Sequence, residues 1–196
     1  MAYAAASDVV LYADFSASDD DALLTLLIQR ATAIIEAETG RVFEAASDIR
    51  YFDATEDVDG YFLYLDKDLI GAVSDVTITN GNGSDLSTDD FILVPQNNPH
   101  YAVKILGEAN KSWTYDSNPE RAIKIDGLWG YSSNAPNDIK HATIRLVSWL
   151  YKQRETDIDL ERPVLTGDGV TIMPARMPHD VQGIIAKYRK RRIAVV

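Results

Sequence analysis

The side chains of this chain that could do chemistry are few, and their spacing does not suit it. His100, His141 and His179 are the only histidines, and none stands in a His-x-x-x-His or His-Glu pairing, so no metal site is expected from them. The absence of cysteine removes disulfides, thiolate ligands and a cysteine nucleophile together. Thr55-Glu56-Asp57-Val58-Asp59-Gly60 has the outline of half a calcium loop, with Asp66 at the last ligand position. Thr replaces the first Asp, Asp replaces the bidentate Glu, and the flanks read as strands, so a solvated acidic hairpin is the expected structure. Gly81-Asn82-Gly83 lacks a third glycine and a following helix, which rules out a phosphate cradle, and no Gly-x-Ser-x-Gly elbow is present. Carboxylates are plentiful without defining a hydrolytic pair. Tyr51, Tyr61, Phe62, Tyr64, Trp113 and Tyr115 could stack a sugar or a base, but alternating aromatics in strands are ordinarily cross-strand core pairs. The expectation is a non-enzyme with no catalytic residue, no cofactor and no metal.

Charge separates the chain into an acidic body and a basic end. Thirty acids against nineteen Lys and Arg give a net charge of −11, unsuited to a general nucleic-acid binder. Lys187, Arg189, Lys190, Arg191 and Arg192 place five cations and no acid in the last ten residues, so residues 1–186 carry −16. Cations favour a helix C-terminus through its dipole, yet one or two would suffice for that; five suggest a docking partner. An apolar content of 46% and a length of 196 residues describe a globular chain with one core or a core plus an appendage. No long apolar run or basic leader is present, so neither a membrane span nor a secretory signal is expected, and synthesis in a cytoplasm is.

The elements that must position these groups follow a helix, β, helix order. Ser7 to Ala13 reads as a short first helix. Ser18 with Asp21 has a capping layout, Leu24, Leu27, Ile28, Ala31, Ile34 and Ile35 form an apolar stripe, and Gly40 supplies the stop, predicting a helix over about 18–39. From 41 to 131 the period shortens to about six strands separated by turns such as Asn80-Gly81-Asn82-Gly83, an inserted antiparallel β block without βαβ alternation. Pro136 opens a central helix over 136–155, within a sub-region of 132–155. Ile139, Thr143, Leu146, Val147 and Leu150 line one face of it, while Ile144, Trp149 and Tyr151 lie off that face and are candidates for a subunit interface. Residues 156–177 read as a long loop, mobile in the free subunit and ordered on assembly. A last helix over 178–192, within the sub-region 178–196, carries Val181, Ile184, Ile185 and Tyr188 into the basic cluster. The fold class is α+β: a helical bundle with an inserted β block in a single domain.

Several of these segments together resemble a known family. They are Ala33-Ile34-Ile35-Glu36-Ala37-Glu38-Thr39-Gly40-Arg41-Val42-Phe43, then Gly127-Leu128-Trp129-Gly130-Tyr131, the helix from Pro136-Asn137-Asp138-Ile139 to Arg154, and Met177-Pro178-His179-Asp180-Val181 to Arg189. In order and spacing they resemble the head–tail connector (adaptor) proteins of long-tailed double-stranded DNA bacteriophages. The resemblance implies a structural virion protein, made in the bacterial host cytoplasm. It implies a ring of about twelve subunits at the head–tail junction, joining the portal to stopper or tail-completion components around a channel for genomic double-stranded DNA, without sequence recognition. It also implies portal docking through Val181, Ile184, Ile185, Tyr188, Lys187, Arg189, Lys190, Arg191 and Arg192. The alternatives are a carbohydrate- or protein-binding β module with helical flanks, which an exposed aromatic cluster in 51–115 would favour, and a hydrolase with a carboxylate site.

Overall fold

The computed structural model describes residues 2–13, 21–155, 164–165, 171–172 and 177–190, which divide into a helical unit and a β unit. The fold class is α+β, with four helices and a seven-stranded antiparallel sheet among the described residues.

The helical unit takes in Met1–Gly40 and Pro136–Lys190. Helix α1 is Ala6–Ala13 and α2 is Asp21–Thr39. Ser18, the expected cap of α2, lies outside the described residues. The stripe turns Leu24, Ile28, Ala31 and Ile35 inward, with Leu27 and Ile34 half-buried beside them. Gly40 ends α2 with φ +66°, a value a side chain rarely adopts, and its N–H donates to the Glu36 carbonyl at 2.8 Å. Helix α3, Asn137–Glu155, begins where the Pro136 carbonyl accepts the Lys140 N–H at 2.9 Å. Ile139, Ala142, Leu146 and Val147 are fully buried, and the hydroxyls of Thr143 and Ser148 donate to carbonyls one turn back, which makes them compatible with burial.

Helices α1, α2 and α4 all pack on α3. Helix α4 is His179–Tyr188. Where three long helices were expected, the described residues form two of 19 residues and a last one of 10. Helix α4 stops at Tyr188 because Arg189 turns extended, with ψ 126°, toward groups on α2. Within the segment read as a long loop, Val164–Leu165 (β8) pairs antiparallel with Thr171–Ile172 (β9); the remainder of 156–176 lies outside the described residues.

The β unit, Arg41–Ala135, holds strands β1 (Ala46–Phe52), β2 (Val58–Asp59), β3 (Phe62–Ile70), β4 (Thr77–Thr79), β5 (Phe91–Val94), β6 (His100–Ile105) and β7 (Ile123–Trp129). Their order is β1-β7-β3-β6-β5, with β2 on β3 and β4 on β7. Strand β3 pairs first with β6 and then, past a register shift between Tyr64 and Leu69, with the end of β7. Asp66-Lys67-Asp68 hides that extension from an apolar-run reading, and buried Asp68 is tolerated because Arg41 donates to it at 2.6 Å. Val73–Asp75 is a 3-10 turn whose Asp75 carboxylate accepts the Ala72 N–H. Alternation sends Leu63, Val103, Ile123, Ile125 and Trp129 into one core with Phe52, Ile78 and Phe91.

Candidate docking site

The basic end is positioned by α4, whose apolar side is committed to the interior. Val181 and Ile185 are buried in the helical unit, and Ile184 and Tyr188 are half-buried. In the first turn of α4, Asp180 receives Arg145 of α3 through Nε at 2.7 Å and Nη2 at 3.3 Å. That hydrogen bond holds the Asp180 carboxyl below the usual aspartate range and pushes the Arg145 guanidinium up.

At the other end of α4, Lys187 Nζ donates to Asp138 in the first turn of α3 at 2.7 Å. The bond lowers the Asp138 pKa and raises that of Lys187. Arg189 then gives Nε to the Glu38 carbonyl at 3.0 Å and Nη2 to the Glu38 carboxylate at 2.9 Å, while the Lys190 N–H donates to the Thr39 carbonyl at 2.7 Å. These groups satisfy acceptors at the C-terminus of α2, where a helix leaves carbonyls unpaired.

The nine residues expected to dock on a portal therefore divide. Val181 and Ile185 serve the chain's own core, Lys187 and Arg189 face intramolecular acceptors, and Arg191 and Arg192 lie outside the described residues. Ile184, Tyr188 and Lys190 are half-buried, the Tyr188 hydroxyl meeting Asp138 and the Lys190 N–H meeting the Thr39 carbonyl. Ile144, Trp149 and Tyr151 are half-buried on α3.

The groups that suggested chemistry have structural partners. His100 is buried, with Nδ1 2.6 Å from the Pro95 carbonyl and Nε2 3.0 Å from the Gly71 carbonyl. His141 meets Tyr12 edge-on at 5.9 Å. In the calcium-like loop the Asp57 carboxylate accepts the Asp53 N–H, the Asp53 carboxylate accepts the Arg121 N–H, and Asp66 pairs with Arg50. Of the aromatic set, Trp113 is buried, with its indole N–H on the Tyr61 carbonyl, and Phe62 stacks on Tyr64 at 6.2 Å under Lys104. Tyr51, Tyr61 and Tyr115 are exposed.

The sequence reading missed why two distant motifs belong together. The Arg41 guanidinium lies 5.1 Å from the Tyr131 ring centroid, the Phe43 and Tyr131 rings are 5.5 Å apart, and the Tyr131 N–H donates to the Val42 carbonyl at 2.8 Å. Arg41-Val42-Phe43 and Trp129-Gly130-Tyr131 are thus two sides of one junction in the β unit. Nothing in local periodicity signals such a pairing.

The profile of head completion proteins (HCP) matches residues 4–191. The chain belongs to the head completion protein family. As such it is a structural protein of the head–tail junction. This head completion protein is similar in fold to a chain in the virion of a native gene transfer agent particle, with TM-score 0.63 and 18% identity, covering 97% of this chain and 91% of that one. It is likewise similar to a chain in the neck of the native particle computed with C12 symmetry (TM-score 0.60, 19% identity, 97% and 90% covered). A chain in the neck of the empty particle, computed with C6 symmetry, gives TM-score 0.60 at 16% identity, with 97% and 91% covered. No curated protein matches the sequence.

Proposed function

We propose that this head completion protein forms a closed ring in the neck of a phage-like particle, seated between the portal and the stopper or tail components and continuing the DNA channel. The observation that carries the reading is the family match over residues 4–191. The likeness to a neck chain computed with C12 symmetry supports a ring of that order. Charge supports a conduit role: Arg41–Ala135 has sixteen acids against seven bases, and an acidic wall discourages phosphate from sticking during passage.

The basic end is proposed to reach the portal. Since Lys187, Arg189 and the Lys190 N–H are engaged within the helical unit, the proposal rests on the remaining cations of the cluster, Arg191 and Arg192. Electron microscopy of particles should display a closed ring of this chain between head and tail; a chain that stays monomeric and never joins the particle would overturn the proposal. For the tail, deletion of residues 191–196 should leave the melting point within about 2 °C yet abolish capture by DNA-free portal. Undiminished capture would instead favour contact with DNA.

A further inference from the structure

Helix α4 is weak as a helix and is held in place by groups that a partner could replace. Its 10 residues fall short of the about 12–15 at which an isolated helix is marginal in water. Pro178, at its N-cap, makes no side-chain cap bond. Gly183 lies exposed in its interior, where an added Cβ would meet nothing within 4 Å. Packing does not require a glycine there, yet the helix carries its cost in conformational entropy. What fixes α4 is therefore its seat on α2 and α3. That seat consists of buried Val181 and Ile185 and of ion pairs from Arg145 to Asp180, from Lys187 to Asp138 and from Arg189 to Glu38.

Two of those pairs occupy cations that the sequence offers for docking. The Lys187 and Arg189 side chains stay 64% and 61% exposed, and those of their acceptors Asp138 and Glu38 47% and 51%. Exposed pairs are screened by salt and shift an equilibrium by at most about fivefold each, so equivalent acceptors can replace these at little cost.

We infer that Asp138 and Glu38 act as an internal mask: they hold Lys187 and Arg189 in the free subunit, and carboxylates of the portal take their place on docking, releasing the C-terminal end of α4 from α2 and α3. The inference rests on the portal reading above and extends it from Arg191 and Arg192 to the two cations engaged within the helical unit. The geometry favours a protein partner over DNA. Arg189 spans the carboxylate and the main-chain carbonyl of one residue, an acceptor pair that proteins offer and a phosphate backbone does not. A chain of net charge −11 also repels a polyanion.

The chain has no cysteine, and the Lys190 Cβ lies 3.7 Å from where a Cβ on Gly40 would stand, within the range of about 3.5–4.5 Å spanned by a disulfide. Full-length Gly40→Cys with Lys190→Cys can therefore be locked by oxidation and freed by reduction. The locked protein should bind DNA-free portal at least about tenfold more weakly than the same protein reduced, because the competent state is withheld. Wild type under the same two treatments is the control. Equal binding of the locked and reduced forms would overturn the inference. Failure of wild type to bind portal under either treatment would overturn the portal reading itself and the inference with it. Because a side chain at Gly40 is strained by its φ of +66°, Asp138→Asn with Glu38→Gln provides a second test. Removing both acceptors should tighten binding to DNA-free portal about three- to tenfold. Unchanged or weaker binding would overturn the inference, as would tighter binding to duplex DNA without tighter binding to portal.

Discussion

Replacing Gly130 by alanine asks the β unit to accept a methyl group where there is no room. The added Cβ would lie 2.6 Å from Ala45 Cα, 2.7 Å from Ala45 N and 3.0 Å from Ala45 Cβ. Carbon atoms pack at about 3.5–4.0 Å, so the two segments must separate by about 1 Å. Most of the obstacle is backbone, and no rotamer change relieves it. Separation strains three hydrogen bonds: Gly130 N–H to the Asp68 carbonyl at 2.8 Å, Tyr131 N–H to Val42 at 2.8 Å and Ala45 N–H to Ser132 at 2.9 Å. Overpacking costs about 1–3 kcal/mol, and each weakened bond adds up to about 0.5–1.5 kcal/mol net. We expect a total loss of about 2–4 kcal/mol, which at about 2–4 °C per kcal/mol lowers the melting point by about 4–16 °C. Scanning calorimetry on purified variants measures it. Gly107→Ala is the control, since a Cβ there meets nothing within 4 Å, and it should melt with the wild type or slightly above it. Gly127→Ala should fall between, because its Cβ would press at 2.9 Å on the Leu69 Cδ1 atom, the end of a side chain that can turn. Equal melting points for the Gly130 and Gly107 variants would refute the packing argument.

Leu146→Ala in the centre of α3 should lose about 2–5 kcal/mol by denaturant titration, because the side chain is fully buried and its removal leaves a cavity. His100→Leu should cost about 1–3 kcal/mol by the same assay, as the Pro95 and Gly71 carbonyls lose their ring partner. The Asp138 carboxyl, lowered by its hydrogen bond from Lys187, adds stability that is present above the ordinary aspartate value of about 3.9 and is lost as pH falls through the lowered folded value. The melting-point gap between wild type and Asp138→Asn should therefore be widest near neutrality and close as pH drops below about 4; a gap that persists in acid would count against the pairing.

The parts of the fold legible in the sequence are those where periodicity and punctuation agree. Helix α2 ends at Gly40 as its left-handed position requires, and Phe91–Val94 forms a strand over its whole apolar run. The apolar run of strand β3 ends at Leu65, and the charged triplet after it masks a continuation that depends on Arg41, distant in sequence, to neutralise Asp68. The basic end was legible as a cluster but not in its intramolecular contacts. That Val181 and Ile185 are buried, and that Lys187 and Arg189 meet Asp138 and Glu38, are tertiary facts carried by no local pattern.

The attachment of Arg189 and Lys190 to the last turn of α2 also has a mechanical meaning. A pull on the chain beyond Lys190 is borne first by the Lys190 amide on Thr39 and by the fork of Arg189 on Glu38. Helix α4 would begin to unwind only after those bonds part. A pull on the tail therefore loads the end of a 19-residue helix and is spread along α2 instead of being concentrated on the final turn of α4.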